Sequence, residues 1–444
     1  METKPAEDES ELIELKPCDQ FTRHTDSVLC CSIDNNTKLA VSGGIDDKAF
    51  VWNLTTKHVI FECVGHKESV VAAAFSSGST YVATGDLNGY IQVRNTTTGN
   101  KIFDFEIDEI NWILWHDSSE YVLLAGTTKG DFWMWNVNDP AAVRTFASYG
   151  SSSTAAKLMP DGMKAIVSYQ DGSIRMFDLK TQQSLSHFQD PTRSEIISMD
   201  LNSKKSILAA GCLDSSIKLL TVGNLKVIGT LACNTPEQIK KMHMESKTNI
   251  QSCSRSSDKN DELMDDDDDE CSHHEKDDFP SEVESEPLEV IDDYANVKVE
   301  TSKQEIDEEV SEDDYDGDEA DYPDDTALDG TDSGDSESVE SILFSPCGNL
   351  LAAANNSGTI IIWDVSSQVK RCEVHTGVGI SRAAWTEDGR YVAGHLDGTV
   401  RVYDSSLKES RRLIAHADQI LDLEVKKGFV VTASEDKTLR VIKL

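Results

Sequence analysis

Short runs in which apolar and polar residues alternate recur along most of this chain, separated by turns rich in Gly, Asn or Asp. In the first unit, Val28 opens one such run and Phe50 begins a later one. Alternation with a period of two predicts half-buried β-strands, and tight turns between the runs predict antiparallel hairpins. The predicted turns between second and third strands are Asp46-Asp47, Asn88-Gly89, Lys129-Gly130, Asp171-Gly172, Asp214-Ser215, Ser357-Gly358, Asp397-Gly398 and Asp436-Lys437.

These runs belong to a longer repeat, which can be aligned on the residue that ends each predicted third strand. The aligned residues are Trp52, Arg94, Trp135, Phe177, Leu220, Trp363, Tyr403 and Ile442. A period of about 40 to 45 residues with a Gly-His start and a Trp-Asp end is typical of a four-stranded propeller blade of the WD-repeat type. The eight units therefore predict an all-β, eight-bladed WD-repeat propeller.

The last unit ends at its third strand, Leu439 to Ile442. Its outer strand must come from elsewhere, because a propeller with a missing strand leaves an exposed sheet edge. Residues 12–22 contain a weak alternating signal just before the first unit. We therefore predict that an N-terminal strand from 12–22 closes the ring.

The long gap between the fifth and sixth units is strongly acidic. Residues 237–337 contain 38 acidic and 8 basic residues, which is most of the excess behind the net charge of −39. Such self-repelling sequence cannot bury enough apolar surface to offset its ordering entropy, so we expect a long disordered acidic insertion. The predicted organisation is a disordered acidic tail at 1–11, a closing strand and blades 1–5 at 12–233, the insertion at 234–336, and blades 6–8 at 337–444.

The net charge also restricts the choice of partner. Nucleic acids and anionic membranes attract basic surfaces, so we expect neither as a direct ligand and expect a basic protein instead. No apolar run approaches the roughly 20 residues that span a bilayer. Residues 1–9 lack the apolar segment of a secretory signal. We expect a monomer in the cytoplasm, with the nucleus as a second location.

Four residues of the first unit, His24, Ser42, Asp46 and Trp52, invite comparison with a catalytic triad. We interpret them instead as the internal hydrogen bonds of a blade, because the set degrades from copy to copy. The second unit keeps His66 and Thr84 but has Asn88 and Arg94, and the eighth keeps His416, Thr432 and Asp436 but ends in Ile442.

The sequence gives little support for a catalytic site or a metal site. Cys271, His273 and His274 lie close together, but in the acidic tract and without paired ligand spacing. Phosphate-binding, nucleophile-elbow and zinc-protease motifs do not occur. We therefore expect a binding protein that needs neither a metal nor a cofactor and is not an enzyme.

Acidic residues recur two positions before the first apolar residue of five predicted inner strands. They are Asp26, Glu68, Asp108, Glu337 and Asp418. This loop opens on the propeller face around the central channel, so the acids would attract a basic peptide. The alternative is that each acid only caps its own turn.

The insertion also allows two interpretations: a solvated segment that keeps the protein soluble, or a polyanionic arm that holds a basic client. We favour the arm. Four of its serines precede acidic residues and are candidates for phosphorylation by an acidophilic kinase, which would add further charge. They are Ser281, Ser311, Ser333 and Ser336.

Several stretches outside the insertion resemble the angio-associated migratory cell protein family of WD-repeat proteins. They are Gly65 to Val70, Tyr81 to Asp86, Trp112 to His116, Val122 to Thr127, Phe132 to Trp135, Pro160 to Gly162, Asp171 to Arg175 and Ser338 to Ser341. This family is similar to a yeast WD-repeat chaperone that escorts a newly made large-subunit ribosomal protein to 60S assembly. The resemblance implies an eight-bladed propeller whose acidic face holds the client's basic N-terminal segment.

Other functions stay open at this point. A scaffold or adaptor in signalling and cell migration is one, and a substrate receptor of a ubiquitin ligase is another. Such receptors often carry Trp-Asp-x-Arg or Trp-Asp-x-Lys at a blade end, and the nearest forms begin at Phe177 and Trp363, both imperfect. A histone chaperone would share the polyacidic arm. Heparin binding, which animal members of the family show, is not expected from an acidic N-terminus.

Overall fold

The computed structural model describes residues 12–14, 20–202, 204–233 and 337–444. These residues form 33 strands and contain no helix. Eight antiparallel sheets have four strands each, and one further strand is added in parallel to one of them. The sheets follow one another along the chain, and the inner strands of successive sheets pack together, including the last against the first. The predicted all-β, eight-bladed propeller is confirmed.

Each blade has an inner, a second, a third and an outer strand, hydrogen-bonded in that order. In blades 1 to 8 the inner strands are Val28–Ile33, Val70–Phe75, Ile110–Trp115, Ser153–Leu158, Ile196–Asn202, Ser341–Phe344, Ile380–Trp385 and Ile420–Lys426. The second strands are Leu39–Gly44, Tyr81–Asp86, Val122–Thr127, Lys164–Tyr169, Ile207–Cys212, Leu350–Ala354, Tyr391–His395 and Phe429–Ser434. The third strands are Ala49–Asn53, Tyr90–Asn95, Phe132–Asn136, Ser173–Asp178, Ser216–Thr221, Thr359–Asp364, Thr399–Tyr403 and Leu439–Lys443. The outer strands are Val59–Glu62, Lys101–Glu106, Asp139–Phe146, Ser184–Gln189, Lys226–Ala232, Lys370–His375, Glu409–Ile414 and, for blade 8, Gln20–Phe21.

The core of the propeller lies between blades. Eight clusters of buried apolar residues occupy the eight blade–blade interfaces, one cluster at each. Second strands are therefore buried on both faces, as in Tyr391–His395, whereas outer strands such as Lys370–His375 alternate between exposed and half-buried residues. Because apolar burial is the main driving force for folding, the ring is stabilised by contacts that each blade makes with two neighbours.

The predicted closing segment divides its pairing between two blades. Gln20–Phe21 pairs with Leu439–Lys443 and completes blade 8, as predicted. The Phe21 ring then stacks on Trp52 of blade 1 at a centroid distance of 4.5 Å. Leu12–Glu14, at the start of the predicted segment, runs parallel to Glu409–Ile414 and so extends blade 7 instead. The outer strand of a blade presents backbone groups that can bind another strand, and in blade 7 Leu12–Glu14 occupies this edge.

All eight predicted hairpin turns lie between second and third strands, and the second residue of each has a positive φ angle. Glycine, which adopts this conformation without strain, fills five of the eight positions. The other three are Asp47, Ser215 and Lys437, with φ of 59°, 65° and 69°. The turns bring the end of each second strand next to the loop that leads into the inner strand.

The cysteines of the described residues are all free, and Cys30 and Cys31 are buried. Burial raises the pKa of the Cys63 thiol to about 11. No helix in the described residues is long and apolar enough to span a membrane. The predicted tail 1–11 and the whole of the predicted insertion 234–336 lie outside the described residues. The same holds for Cys271, His273 and His274 and for the candidate phosphorylation sites Ser281, Ser311, Ser333 and Ser336.

Candidate functional site

The candidate site lies at one end of the propeller, which we call the upper face. It carries the loops that run from an outer strand to the next inner strand, together with the turns between second and third strands. All five acids predicted at the channel mouth lie in these loops. Their positions depend on how each loop is held.

In blade 1 the four residues singled out from the sequence form a hydrogen-bonded chain. Trp52 Nε1 donates to Ser42 Oγ at 3.3 Å, and His24 Nε2 lies 2.9 Å from the same hydroxyl. His24 Nδ1 donates to Asp46 Oδ1 at 2.9 Å. Asp46 Oδ2 also accepts the backbone N–H of Thr25 at 2.8 Å, so the chain fixes the loop as well as the strands. We call this arrangement a histidine clamp.

The electrostatics of the clamp suit a structural role. Burial alone would raise the pKa of Asp46, but the hydrogen bonds from His24 and Thr25 hold it below its ordinary value. Ser42 is fully buried, so its hydroxyl is not accessible to a substrate. A nucleophile must reach its substrate, and this serine instead donates and accepts within the blade.

Blade 2 has a clamp that the sequence interpretation missed. His66 Nε2 lies 2.8 Å from Thr84 Oγ1, and His66 Nδ1 donates to Asp86 Oδ2 at 3.1 Å. The expectation that this blade lost its acid at Asn88 is therefore wrong, because Asp86 at the end of the second strand replaces it. The signal that could have found it is a carboxylate two residues after Thr84 on the same strand.

Blade 8 repeats the clamp with the residues that the sequence indicated. His416 Nε2 lies 2.8 Å from Thr432 Oγ1, and Nδ1 lies 3.0 Å from Asp436 Oδ2. The same carboxylate oxygen accepts the N–H of Ala417 at 3.1 Å. Burial acts to raise the pKa of Asp436, yet the hydrogen bonds from His416 and Thr438 keep it well below its ordinary value.

The three clamps hold three of the predicted acids. In each case the acid lies two residues after the clamp histidine, and the residue between them gives its backbone N–H to the clamp carboxylate. Asp418, Asp26 and Glu68 thus lie on fixed loops of blades 8, 1 and 2, which are consecutive in the closed ring. We call these three residues the acidic arc.

The carboxylates of the acidic arc are largely available to a ligand. Glu68 is exposed and makes no hydrogen bond or ion pair with any described residue. Asp418 and Asp26 each accept the N–H of the following residue at Oδ1, at 2.8 and 2.9 Å, and Oδ2 makes no hydrogen bond with any described residue. Lys437 Nζ approaches Asp26 to 3.5 Å, but both side chains are half exposed. Capping and ligand binding are therefore compatible at these residues.

The other two predicted acids are already engaged. Lys129 Nζ lies 2.6 Å from Asp108 Oδ1, which neutralises this carboxylate on blade 3. Glu337 of blade 6 is half-buried, and Asn355 Nδ2 donates to its carboxylate at 3.4 Å. The five acids do not form one uniform ring, because they differ in what each carboxylate already binds.

The surroundings of the acidic arc are negative overall. The upper loops of blades 8, 1 and 2 (24–27, 45–48, 64–69, 86–89, 415–419 and 435–438) contain eight acids and three lysines. A cavity of about 470 Å³ lies next to the loop at 64–69, with Lys67, Asp86 and Glu106 among its lining residues. No three His, Cys, Asp or Glu side chains in the described ranges are grouped to hold a metal ion. The arrangement suits an extended, positively charged ligand.

Comparison with known proteins agrees with this geometry. The family model for the WD domain, G-beta repeat, matches residues 15–53, 57–95, 328–364 and 366–404. The human angio-associated migratory cell protein is 30% identical over 433 residues, which cover 95% of this chain and 78% of that protein. The dog protein of the same name is 31% identical over the same shares. This chain belongs to the angio-associated migratory cell protein family.

Solved structures with the same fold extend the likeness beyond this family. The Chaetomium thermophilum Sqt1 bound to the N-terminus of the ribosomal protein L10 superposes with a TM-score of 0.67, covering 98% of this chain and all of that chain at 16% identity. The Saccharomyces cerevisiae Sqt1 gives a TM-score of 0.68 at 15% identity and 98% coverage of both chains. At this identity the likeness shows the fold alone.

The sequence ranges that match the WD-repeat model contain only some of the histidine clamps. The first two matched ranges contain the clamps of blades 1 and 2. The clamp of blade 8 lies outside the matched ranges, although its distances are similar to those of the other two. The clamp geometry is therefore present in a blade that the repeat model does not match.

Proposed function

We propose that this protein is a non-enzymatic chaperone that holds the basic N-terminal segment of a large-subunit ribosomal protein on its acidic arc during 60S assembly. The observation that carries the proposal is the set of three solvent-accessible carboxylates on three consecutive blades, each on a loop fixed by a histidine clamp. Fixed carboxylates bind a cationic peptide without first losing conformational freedom. A basic ribosomal protein needs a polyanionic partner before it meets RNA.

The comparisons support this choice of client. One protein of the same fold has been crystallised with the N-terminus of ribosomal protein L10. A relative by sequence, the ribosome assembly protein SQT1 of Saccharomyces cerevisiae, is 24% identical over 44% of this chain. Such a client is made in the cytoplasm and assembled in the nucleus or cytoplasm, so the chaperone would work in these compartments.

The test is recovery of ribosomal proteins by the tagged full-length chain at low and high salt. We expect a large-subunit ribosomal protein to be enriched at about 0.05 M salt and depleted at about 0.5 M, because exposed charge pairs are screened. The charge reversals Asp26→Lys, Glu68→Lys and Asp418→Lys together should lower recovery by about tenfold or more.

A matched control reverses three exposed acids on the opposite face, in turns between first and second strands: Asp117→Lys, Asp161→Lys and Glu387→Lys. The net charge changes equally in the two variants. If binding depends on the positions of the carboxylates, this control should recover the ribosomal protein to within about twofold of the unaltered chain. Equal losses in both variants would reduce the effect to net charge. Enrichment of histones, or of a cullin adaptor, in place of ribosomal proteins would contradict the proposed function.

A further inference from the structure

A second set of equivalent positions lies beside the acids on the upper face, at the residue directly before each of the eight hairpin turns between second and third strands. In all eight blades the backbone N–H of this residue donates to a carbonyl of the loop that leads into the inner strand. For Ile45 the acceptor is Ser27, the residue that follows Asp26, at 2.9 Å. Leu87 makes the same bond beside Glu68 in blade 2. This position and the acid therefore share one loop junction.

Four of the eight residues at this position are aliphatic and exposed. Their exposed fractions are 43% for Ile45, 44% for Leu87, 38% for Leu213 and 41% for Leu396. The other four blades have Thr128, Gln170, Asn356 and Glu435. Because polar residues make the same backbone bond, the fold does not require an aliphatic side chain here. Exposed aliphatic residues that recur at one structural position indicate contact with a partner.

Only blades 1 and 2 combine the aliphatic residue with an acid of the acidic arc. Beside Leu213 the acid position holds Ser194, and beside Leu396 it holds Val378. Blades 1 and 2 are neighbours, so two aliphatic–acid pairs follow each other along the channel mouth. We propose that Ile45 and Leu87 bind apolar side chains of an extended peptide whose basic side chains bind Asp26 and Glu68.

This inference rests on the proposed function for the identity of the client and adds a requirement on its sequence. A peptide with only cationic residues would gain the electrostatic attraction and lose the apolar contacts. Apolar contact also keeps water from the neighbouring ion pairs, which strengthens them and makes binding less sensitive to salt. The surface would thus select mixed basic and apolar segments over chains that are merely basic, such as oligolysine.

Two synthetic peptides of about a dozen residues test the inference independently of any ribosomal protein. One alternates arginine with leucine, and the other alternates arginine with serine, so their charges are equal. Fluorescence anisotropy with the full-length chain measures both affinities at about 0.05 M and about 0.5 M salt. We expect the arginine–leucine peptide to bind about tenfold more tightly, and this advantage to persist at high salt.

The variant Ile45→Gln with Leu87→Gln should abolish the advantage of the arginine–leucine peptide and leave the arginine–serine peptide unchanged. The matched control, Leu213→Gln with Leu396→Gln, removes two side chains of the same exposure at the same position and should keep the advantage. Equal binding of the two peptides to the unaltered chain, or absence of binding by both, overturns the inference. An equal loss in the control variant also overturns it. Recovery of a ribosomal protein in the salt experiment would stand in each of these cases, so the two proposals fail separately.

Discussion

The upper loops of blades 8, 1 and 2 differ from those of blades 4 and 5 in what holds them. In blades 4 and 5 the acid position is occupied by Ser151 and Ser194. Each serine hydroxyl accepts the backbone N–H of its own blade's turn aspartate, Asp171 at 2.9 Å and Asp214 at 3.0 Å. In blade 1 the turn aspartate instead binds a histidine and a loop amide.

This difference shows that equivalent loop positions in a repeat protein can stabilise the fold in some blades and be available for binding in others. Where a histidine clamp fixes the loop, the residue two positions later has no structural bond to make beyond a local cap, and its side chain can face a ligand. In blades 4 and 5, where the histidine is missing, the serine at that position holds the turn itself. Blades of one architecture thus provide a binding arc and a purely structural sector in the same ring.

The largest expected effect concerns a histidine outside the acidic arc that has no carboxylate partner. His395 of blade 7 is fully buried, with Nδ1 3.3 Å from the carbonyl oxygen of Val378. Burial, helped by the neighbouring Arg401, lowers the pKa of His395 to about 4. The unfolded chain, with an ordinary histidine pKa of about 6.5, binds this proton more readily. The free energy of unfolding should therefore fall as pH decreases from about 6.5 to about 4, by about 3 kcal/mol in total.

Urea unfolding of the unaltered chain and of His395→Gln across this pH range measures the effect. In the His395→Gln variant, the free energy of unfolding should no longer fall between these two pH values, even if the variant is less stable at neutral pH. His187→Gln, at an exposed histidine of blade 4, is the control and should keep it. Identical pH profiles for all three chains would show that His395 is not the group responsible.

The next effect is the removal of a clamp. His66→Ala leaves the buried Thr84 hydroxyl and the Asp86 carboxylate without their shared partner, which should cost about 1 to 3 kcal/mol of stability. Because the clamp also positions the loop before Glu68, affinity for a basic peptide should fall even at temperatures where the variant is fully folded. Hydrogen exchange of the backbone amides of residues 64–69 should rise at the same time.

His187→Ala serves as the control for this clamp too, since its side chain is exposed on an outer strand. It should change neither exchange nor affinity. If His66→Ala lowers stability but leaves peptide affinity and the exchange of residues 64–69 as they are, the clamp stabilises the blade without positioning the acid.

The sequence predicted features that repeat and missed those that depend on a single contact. The eight units, their turns and the closing strand at Gln20–Phe21 follow from periodicity, because each blade buries the same faces. The role of Asp86 was missed since its carboxylate reaches His66 from the end of a strand, two residues before the position used in blades 1 and 8. The parallel pairing of Leu12–Glu14 with blade 7 was missed since open sheet edges carry no sequence signature of their partner.

The candidate site shows the same division. The acid at two residues before the inner strand is visible in the sequence at Asp26, Glu68 and Asp418. Neutralisation of Asp108 by Lys129 is not, because the two residues are 21 positions apart and meet only when the turn folds beside the loop. Equal spacing in the sequence therefore does not show whether two acids carry the same effective charge in the folded protein.

The smallest expected effect would extend the acidic arc by one blade. Lys129→Gln removes the cation 2.6 Å from Asp108, and blade 3 follows blade 2 in the ring. The freed carboxylate should tighten binding of a basic peptide by about two- to fivefold at low salt and by little at high salt. Stability should change by less than about 1 kcal/mol, because both side chains of the pair are exposed.

Lys164→Gln gives the same charge change at a lysine 4.0 Å from Asp161, on the opposite face, and should leave affinity within error of the unaltered chain. Anisotropy titrations with the arginine–serine peptide separate the two variants, since that peptide reports charge without apolar contact. If both variants tighten binding equally, the peptide senses the net charge of the whole chain rather than particular carboxylates. If only Lys129→Gln does, what separates blade 3 from the acidic arc is one lysine and not the absence of a clamp.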